Sequence, residues 1–137
     1  MPLRASIWLA LIVLAAAGCG GGTLSRKALQ KQAESIQSLA AEGTLVAKGA
    51  AGDRTTDNFV SVHTDYLGEA ARKIEKDLGS SPATGSLDAK RKEAERLAGM
   101  VADDLDRLHR APGNRGLAAA LRSSFAKEAE AAGKLSK

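Results

Sequence analysis

Three clusters of helix-breaking residues cut this chain into four segments, and each segment repeats its apolar residues at intervals of three and four. The breakers are Gly49-Ala50-Ala51-Gly52-Asp53, Gly79-Ser80-Ser81-Pro82-Ala83-Thr84-Gly85 and Pro112-Gly113-Asn114. Between them run Leu29, Ala33, Ile36, Ala40, Gly43 and Ala47; then Val60, His63, Leu67, Ala70, Ile74 and Leu78. The third segment carries Leu87, Ala94, Leu97, Val101, Leu105 and Leu108, and the fourth Leu117, Leu121, Phe125, Ala129, Ala132 and Leu135. Such spacing puts the apolar residues on one face of a helix of 3.6 residues per turn, and no stretch sustains the two-residue alternation of a half-buried strand. The pattern predicts an all-α chain with helices over about residues 24–48, 56–79, 87–110 and 116–135. Short connections favour antiparallel neighbours, so the expected architecture is an up-down-up-down antiparallel four-helix bundle over residues 23–137.

The segment ends agree with this reading. Thr55, Thr56 or Asp57 can cap the second helix, and Ser86 with Asp88 suits the start of the third. Arg107, His109 and Arg110 put positive charge at the far end of that helix, just before Pro112 stops it. Alanine does much of the packing, with Ala33, Ala40 and Ala47 recurring every seven residues. Small residues let helices approach closely and leave little room inside for a bulky ligand. The other disposition, with the alanine stripe turned outward onto a partner or a bilayer, deprives an isolated bundle of the face it needs for its own core.

The N-terminus has a different character. Arg4 precedes an eleven-residue apolar run, Ile7 to Ala17, which ends in the small residues Ala16, Ala17 and Gly18 before the lone cysteine, Cys19. A charged start, a short apolar core and a small-residue site make an export signal, and the run falls short of the roughly 20 residues that span a bilayer. Ala16-Ala17-Gly18-Cys19 resembles the lipobox of bacterial lipoproteins. The resemblance covers residues 1–22 alone. It implies a signal peptide over 1–18, cleavage before Cys19, diacylglycerol on the Cys19 sulfur and often an acyl group on the new amino terminus, followed by a Gly20–Gly22 tether. The alternative is an ordinary secretory signal with an incidental thiol. Two acyl chains suffice for stable attachment where one is marginal. Within the family an aspartate after the cysteine tends to hold lipoproteins at the inner membrane; Gly20 stands there instead, which leaves both the cell membrane and an outer membrane open.

Cleavage would leave 119 residues, enough for one core and too few for two ordinary domains, with 19 basic and 16 acidic residues. That mild positive balance suits anionic headgroups or wall polymers a little better than neutral partners. Phe59, Tyr66 and Phe125 are the only aromatics beyond the signal and there is no dense basic run, so nucleic acid is not an expected partner. With Cys19 acylated no cysteine remains for a disulfide, and stability rests on packing. Three extended tether residues span at most about 10 Å, which places the bundle at the membrane surface.

Candidate chemistry is sparse. His63 falls on the apolar stripe of the second segment, and a hairpin centred near Pro82 would bring Met100 to its level, offering the histidine and methionine that ligate haem in some bundle cytochromes. No CxxCH motif accompanies them, and a buried histidine bonded to a neighbour is the plainer reading. Asp106 and His109 share a helix face, but the Glu-x-x-His motifs of di-metal bundles are missing, and Asp103-Asp104-Leu105-Asp106 reads as a solvated face balanced by Arg107 and Arg110. No metal site is expected. The helical serines Ser35, Ser38, Ser61, Ser123 and Ser124 lack a strained elbow, and Gly20-Gly21-Gly22 lacks the lysine of a phosphate loop. No catalytic residue and no cofactor beyond the Cys19 lipid are therefore expected. Two functional readings stand: a lipid-anchored, non-enzymatic helical interaction or structural protein of the cell envelope, and a small carrier holding haem, metal or an apolar molecule through His63 and Met100.

Overall fold

The computed structural model describes residues 22–137; the segment expected to be a signal peptide, and Cys19, lie outside the described residues. Four helices follow in order: α1 (Arg26–Ala51), α2 (Asp57–Gly79), α3 (Gly85–Arg110) and α4 (Arg115–Leu135). They account for 83% of the described residues, and no strand occurs among these.

Side chains written into the sequence start three of the four helices. Ser25 Oγ accepts from the Ala28 amide at 3.1 Å, Thr56 Oγ1 from Phe59 at 3.2 Å, and Asn114 Oδ1 from Leu117 at 2.9 Å, each satisfying one of the amides a helix start leaves free. The third helix departs from expectation. It begins at Gly85, two residues before the predicted start, with that glycine at φ +59° and no side-chain cap from Thr84. Asp88 still occupies the first turn, where it bonds Arg91 and Lys92. α1 also runs three residues past its predicted end, through Gly49, whose missing side chain makes room for the loop that folds back on it: a Cβ there would lie 2.8 Å from Thr55 Cγ2.

The helices pack as an antiparallel bundle with unequal seams. The α1–α4 and α2–α3 faces are the broad ones, α1 also meets α3 across the middle, and α2 and α4 do not touch. Across the first broad seam Phe125 lies against Gly43 and Gly133 beside Gln37. Across the second, Ser61 meets His109, Arg72 pairs with Asp103, and Glu75 lies over Gly99. The core is the alanine-rich one anticipated. On α1 the buried positions include Leu29, Ala33, Ile36, Ala40, Gly43 and Ala47, and α3 buries Ala94, Leu97, Val101, Leu105 and Leu108.

The second helix is rotated from its expected face. Val60, Leu67 and Leu78 are buried, but their companions are Thr64 and Ala71, while His63, Ala70 and Ile74 are only half-buried. The cause is the partner α2 chooses: small residues at Thr64, Gly68 and Ala71 let α3 close in on that side, leaving the α1 side of α2 less covered. At the lower end, the Leu24 amide donates to the Pro82 carbonyl at 2.8 Å and ties the start of the bundle to the α2–α3 loop.

Candidate functional site

The residues singled out for ligand chemistry do not converge. His63 stands half-exposed on α2, its Nε2 3.9 Å from a Glu42 carboxylate oxygen of α1 and its ring stacked on Phe59 with centroids 5.1 Å apart. Met100 lies on the outer flank of α3, where its sulfur accepts from Arg96 Nη1 at 2.7 Å. Because Gly99 sits beside Glu75 and Asp103 beside Arg72, Met100 is level with the lower half of α2, about ten residues or roughly 15 Å along the helix from His63. The expected common level fails for a local reason. The first two turns of α3 stand beyond the end of α2, whose last residue Gly79 lies beside Glu95, and Arg91 reaches from the second of them to the Leu78 carbonyl at 2.9 Å, so the hairpin is not symmetric about Pro82. The two-ligand site expected for a carrier is thus not formed.

Asp106 and His109 sit on α3 beside an open groove of about 440 Å³ against α2, with Thr64, Asp65, Gly68, Glu69 and Arg72 on its other wall. The His109 Nδ1 is 2.9 Å from the Ser61 carbonyl, which makes that nitrogen the protonated one, and Asp106 pairs with Arg110. Among the described residues no three histidine, cysteine or acidic side chains are arranged to hold a metal ion. Among the helical serines, Ser35 Oγ donates to the Lys31 carbonyl at 3.0 Å, Ser61 Oγ to His109 O at 3.4 Å and Ser124 Oγ to Glu128 Oε1 at 3.4 Å.

What the bundle does present is apolar. Four large hydrophobic side chains near the α1–α2 turn are left in solvent: Leu45 is 67% exposed, Phe59 46%, Val62 63% and Tyr66 70%. Phe59, Val62 and Tyr66 are three and four residues apart and so form one stripe on the outer face of α2. Below it the α1–α2 seam opens into a groove of about 610 Å³ whose walls include Leu39, Ala70 and Ile74, with Lys31, Glu34 and Lys73 at its edges. Of the three aromatics in the described residues, two belong to this stripe and only Phe125 is in the core. Leu45 is nineteen residues into α1, so the stripe lies roughly 29 Å from the end at which the chain enters the bundle. The sequence signal for it was present. Phe59, Val62 and Tyr66 are apolar yet fall off the spacing of the core stripe.

A second feature escaped the sequence reading. Glu128 of α4 is only 3% exposed and Asp104 of α3 only 9%, so the packed α3–α4 seam holds two buried acids, and Asp104 is the acidic neighbour that acts on Glu128. Burial first, and then the Asp104 charge, push the Glu128 carboxyl up to about 7, against a smaller opposing effect from the Ser124 hydroxyl. Glu128 takes a core position that the pattern gave to Ala129. Its offset of three from Phe125 and four from Ala132 carried that information.

No family model, curated protein or solved structure matches this chain. No described helix is long and apolar enough to cross a membrane.

Proposed function

We propose that the chain is a lipid-anchored, non-enzymatic docking protein of the bacterial cell envelope, and that it works through the outer face of α1 and α2. The observation that carries this is the stripe of Phe59, Val62 and Tyr66 on α2, together with the exposed Leu45 of α1, large apolar side chains left in solvent by a bundle that builds most of its core from alanine and leucine. An exposed apolar patch with polar edges is the mark of a protein contact. The groove that continues it between two antiparallel helices suits a third helix laid along it.

The edges narrow the partner's chemistry. Asp65 and Glu69 flank the stripe on the α3 side, and Glu42 flanks it on the α1 side. The occupant that matches is an amphipathic helix of an envelope polypeptide, with its apolar face inward, basic residues at the margins beside the stripe and acidic ones where Lys31 and Lys73 edge the groove. The anchor rests on Ala16-Ala17-Gly18-Cys19, which lies outside the described residues. The Leu24–Pro82 bond ties the start of the described chain to the lower end of the bundle, and the stripe lies roughly 29 Å along α1 from that end.

A photo-crosslinking residue at Tyr66, compared with one at the exposed Ala119 of α4, tests the face in living cells of the source bacterium. A discrete polypeptide adduct from position 66 alone, lost in Val62→Asp, is expected. No adduct at 66, or the same adduct at both positions, overturns the face; an adduct with lipid or with a second copy of this chain overturns the choice of partner. For the anchor, Cys19→Ala is expected to abolish fatty-acid labelling and release the chain from the membrane fraction. Retained labelling refutes it.

A further inference from the structure

The buried acidic pair between α3 and α4 plays no part in that docking face, and as two ionised carboxylates it does not satisfy itself. Ionised carboxyls only accept hydrogen bonds. Arg107 Nη1 donates to Asp104 Oδ1 at 3.0 Å, and Ser124 Oγ reaches Glu128 Oε1 at 3.4 Å, but Glu128 Oε2 is buried with no donor at all. A buried polar atom without a partner costs about the desolvation of that group, and a buried unpaired charge more. The surroundings do not supply the missing donor. From α3 the charged groups facing Glu128 are Asp104 and Arg107, and Arg107 is already turned to Asp104. From α1 the level of Glu128 is set by Gly43 at Phe125 and Gln37 at Gly133; the one charged residue between them, Glu42, points to α2 and pairs with His63. α2 does not touch α4. A proton on Glu128, donated to the Asp104 carboxylate, is the group that completes the set.

We infer that Glu128 and Asp104 share one proton and act as a proton-dependent latch on the α3–α4 seam. With the proton held, the two carboxyls bond to each other across the seam. Without it, two like charges face each other in a dry interface and the seam loosens. The direction of the pH effect follows from the raised position of the Glu128 carboxyl near 7. A carboxyl that holds its proton more tightly when folded contributes fully below its ordinary value of 4.5, and the contribution disappears as pH rises through about 7. The latch is therefore closed in mildly acidic surroundings and weak in alkaline ones. If opening exposes Glu128 to water, that shift predicts a rise of up to about 70-fold in the opening equilibrium between roughly pH 5 and pH 8.

The test uses the full chain in detergent. The Glu128 carboxyl carbon is followed by NMR through a pH titration, and amide exchange in α4 is measured at the same pH values with the intrinsic rate divided out. Titration near 7, with α4 protection falling over the same range, is expected. Glu128→Gln carries an amide that can donate to Asp104 as the protonated acid does, so its α4 protection should be flat with pH. Asp104→Asn can donate to ionised Glu128 and should move the Glu128 midpoint downward. The latch is refuted if Glu128 titrates in the ordinary carboxylate range, if Glu128→Gln retains the wild-type pH slope, or if Asp104→Asn leaves the midpoint unmoved. The carboxyl titration of the wild-type chain decides the matter even if neither variant folds.

Discussion

Gly43 offers the sharpest test of how the helices are paired, because two effects of known sign compete there. It lies inside α1, and a Cβ placed on it would sit 3.0 Å from Cδ1 of Phe125 and 3.1 Å from both Cε1 and Cγ. Helix propensity alone makes Gly→Ala in a helix interior favourable by about 1 kcal/mol. Against this, carbon atoms pack best at about 3.5–4.0 Å, so the new methyl overlaps three atoms of the ring. Phe125 is fully buried and cannot swing into solvent. Forcing an extra methyl into a filled core costs about 1–3 kcal/mol. The overlap wins or cancels, and Gly43→Ala should lie between neutral and about 2 kcal/mol destabilising. Replacing Phe125 by alanine removes Cγ, Cδ1 and Cε1, the three atoms that the methyl meets, so in that background the same substitution should show its bare propensity gain of about 1 kcal/mol. The double-mutant cycle should therefore return a coupling of about 1–3 kcal/mol, read from urea unfolding followed by circular dichroism. If Gly43→Ala stabilises both backgrounds equally, α1 does not meet α4 at this point and the broad α1–α4 seam is wrong.

Two further outcomes follow from local geometry. Asn114→Ala removes the side chain that caps α4 through the Leu117 amide and should cost about 1 kcal/mol in urea unfolding; an unchanged midpoint would mean that α4 starts elsewhere. His63→Leu should leave the dichroism spectrum unchanged and the stability within about 0.5 kcal/mol, since His63 is half-exposed and its contact with Glu42 is 3.9 Å long. A loss of several kcal/mol would show that the imidazole is a core group after all.

The parts of this fold that were legible in the sequence are those set within one helix. The 3–4 spacing places Leu29, Ala33, Ile36 and Ala40 inward whatever packs on them, and Thr56 caps α2 because its hydroxyl is within one turn of a free amide. The parts that were not legible depend on which helix lies next door and at what height. The rotation of α2 follows from α3 packing over Thr64, Gly68 and Ala71, and periodicity accepts either of the two adjoining faces. Met100 missed the level of His63 because the first two turns of α3 overhang the end of α2, an arrangement held by Arg91 on the Leu78 carbonyl, a guanidinium and a carbonyl thirteen residues apart. Asp104 was read as part of a solvated acidic run because charge runs on helices usually lie on the surface, and the structure exposes Asp103 but buries Asp104. One step of 100° around the helix separates Asp103 from Asp104, and that step decides which of the two is buried.

The exposure of Phe59 and Tyr66 is hard to explain by stability alone, and this is the strongest reason to assign the α1–α2 face a task. Aromatic side chains bury more area than any others, and a chain with so few of them gains most by placing them inside. Phe125 follows that logic, filling the space that Gly43 leaves between α1 and α4. α2 does the opposite: it turns Val60, Thr64, Leu67 and Ala71 inward and holds its two aromatics out in line with Val62. Exchanging the two faces would bury more apolar surface, but Phe59 and Tyr66 are too large for the close approach of α3 that the small residues of the present face allow. The seam with α3 thus fixes α2 by its small residues, and the large ones are left free for a contact outside the bundle. A partner helix laid over Phe59, Val62 and Tyr66 would supply the burial that the fold itself withholds.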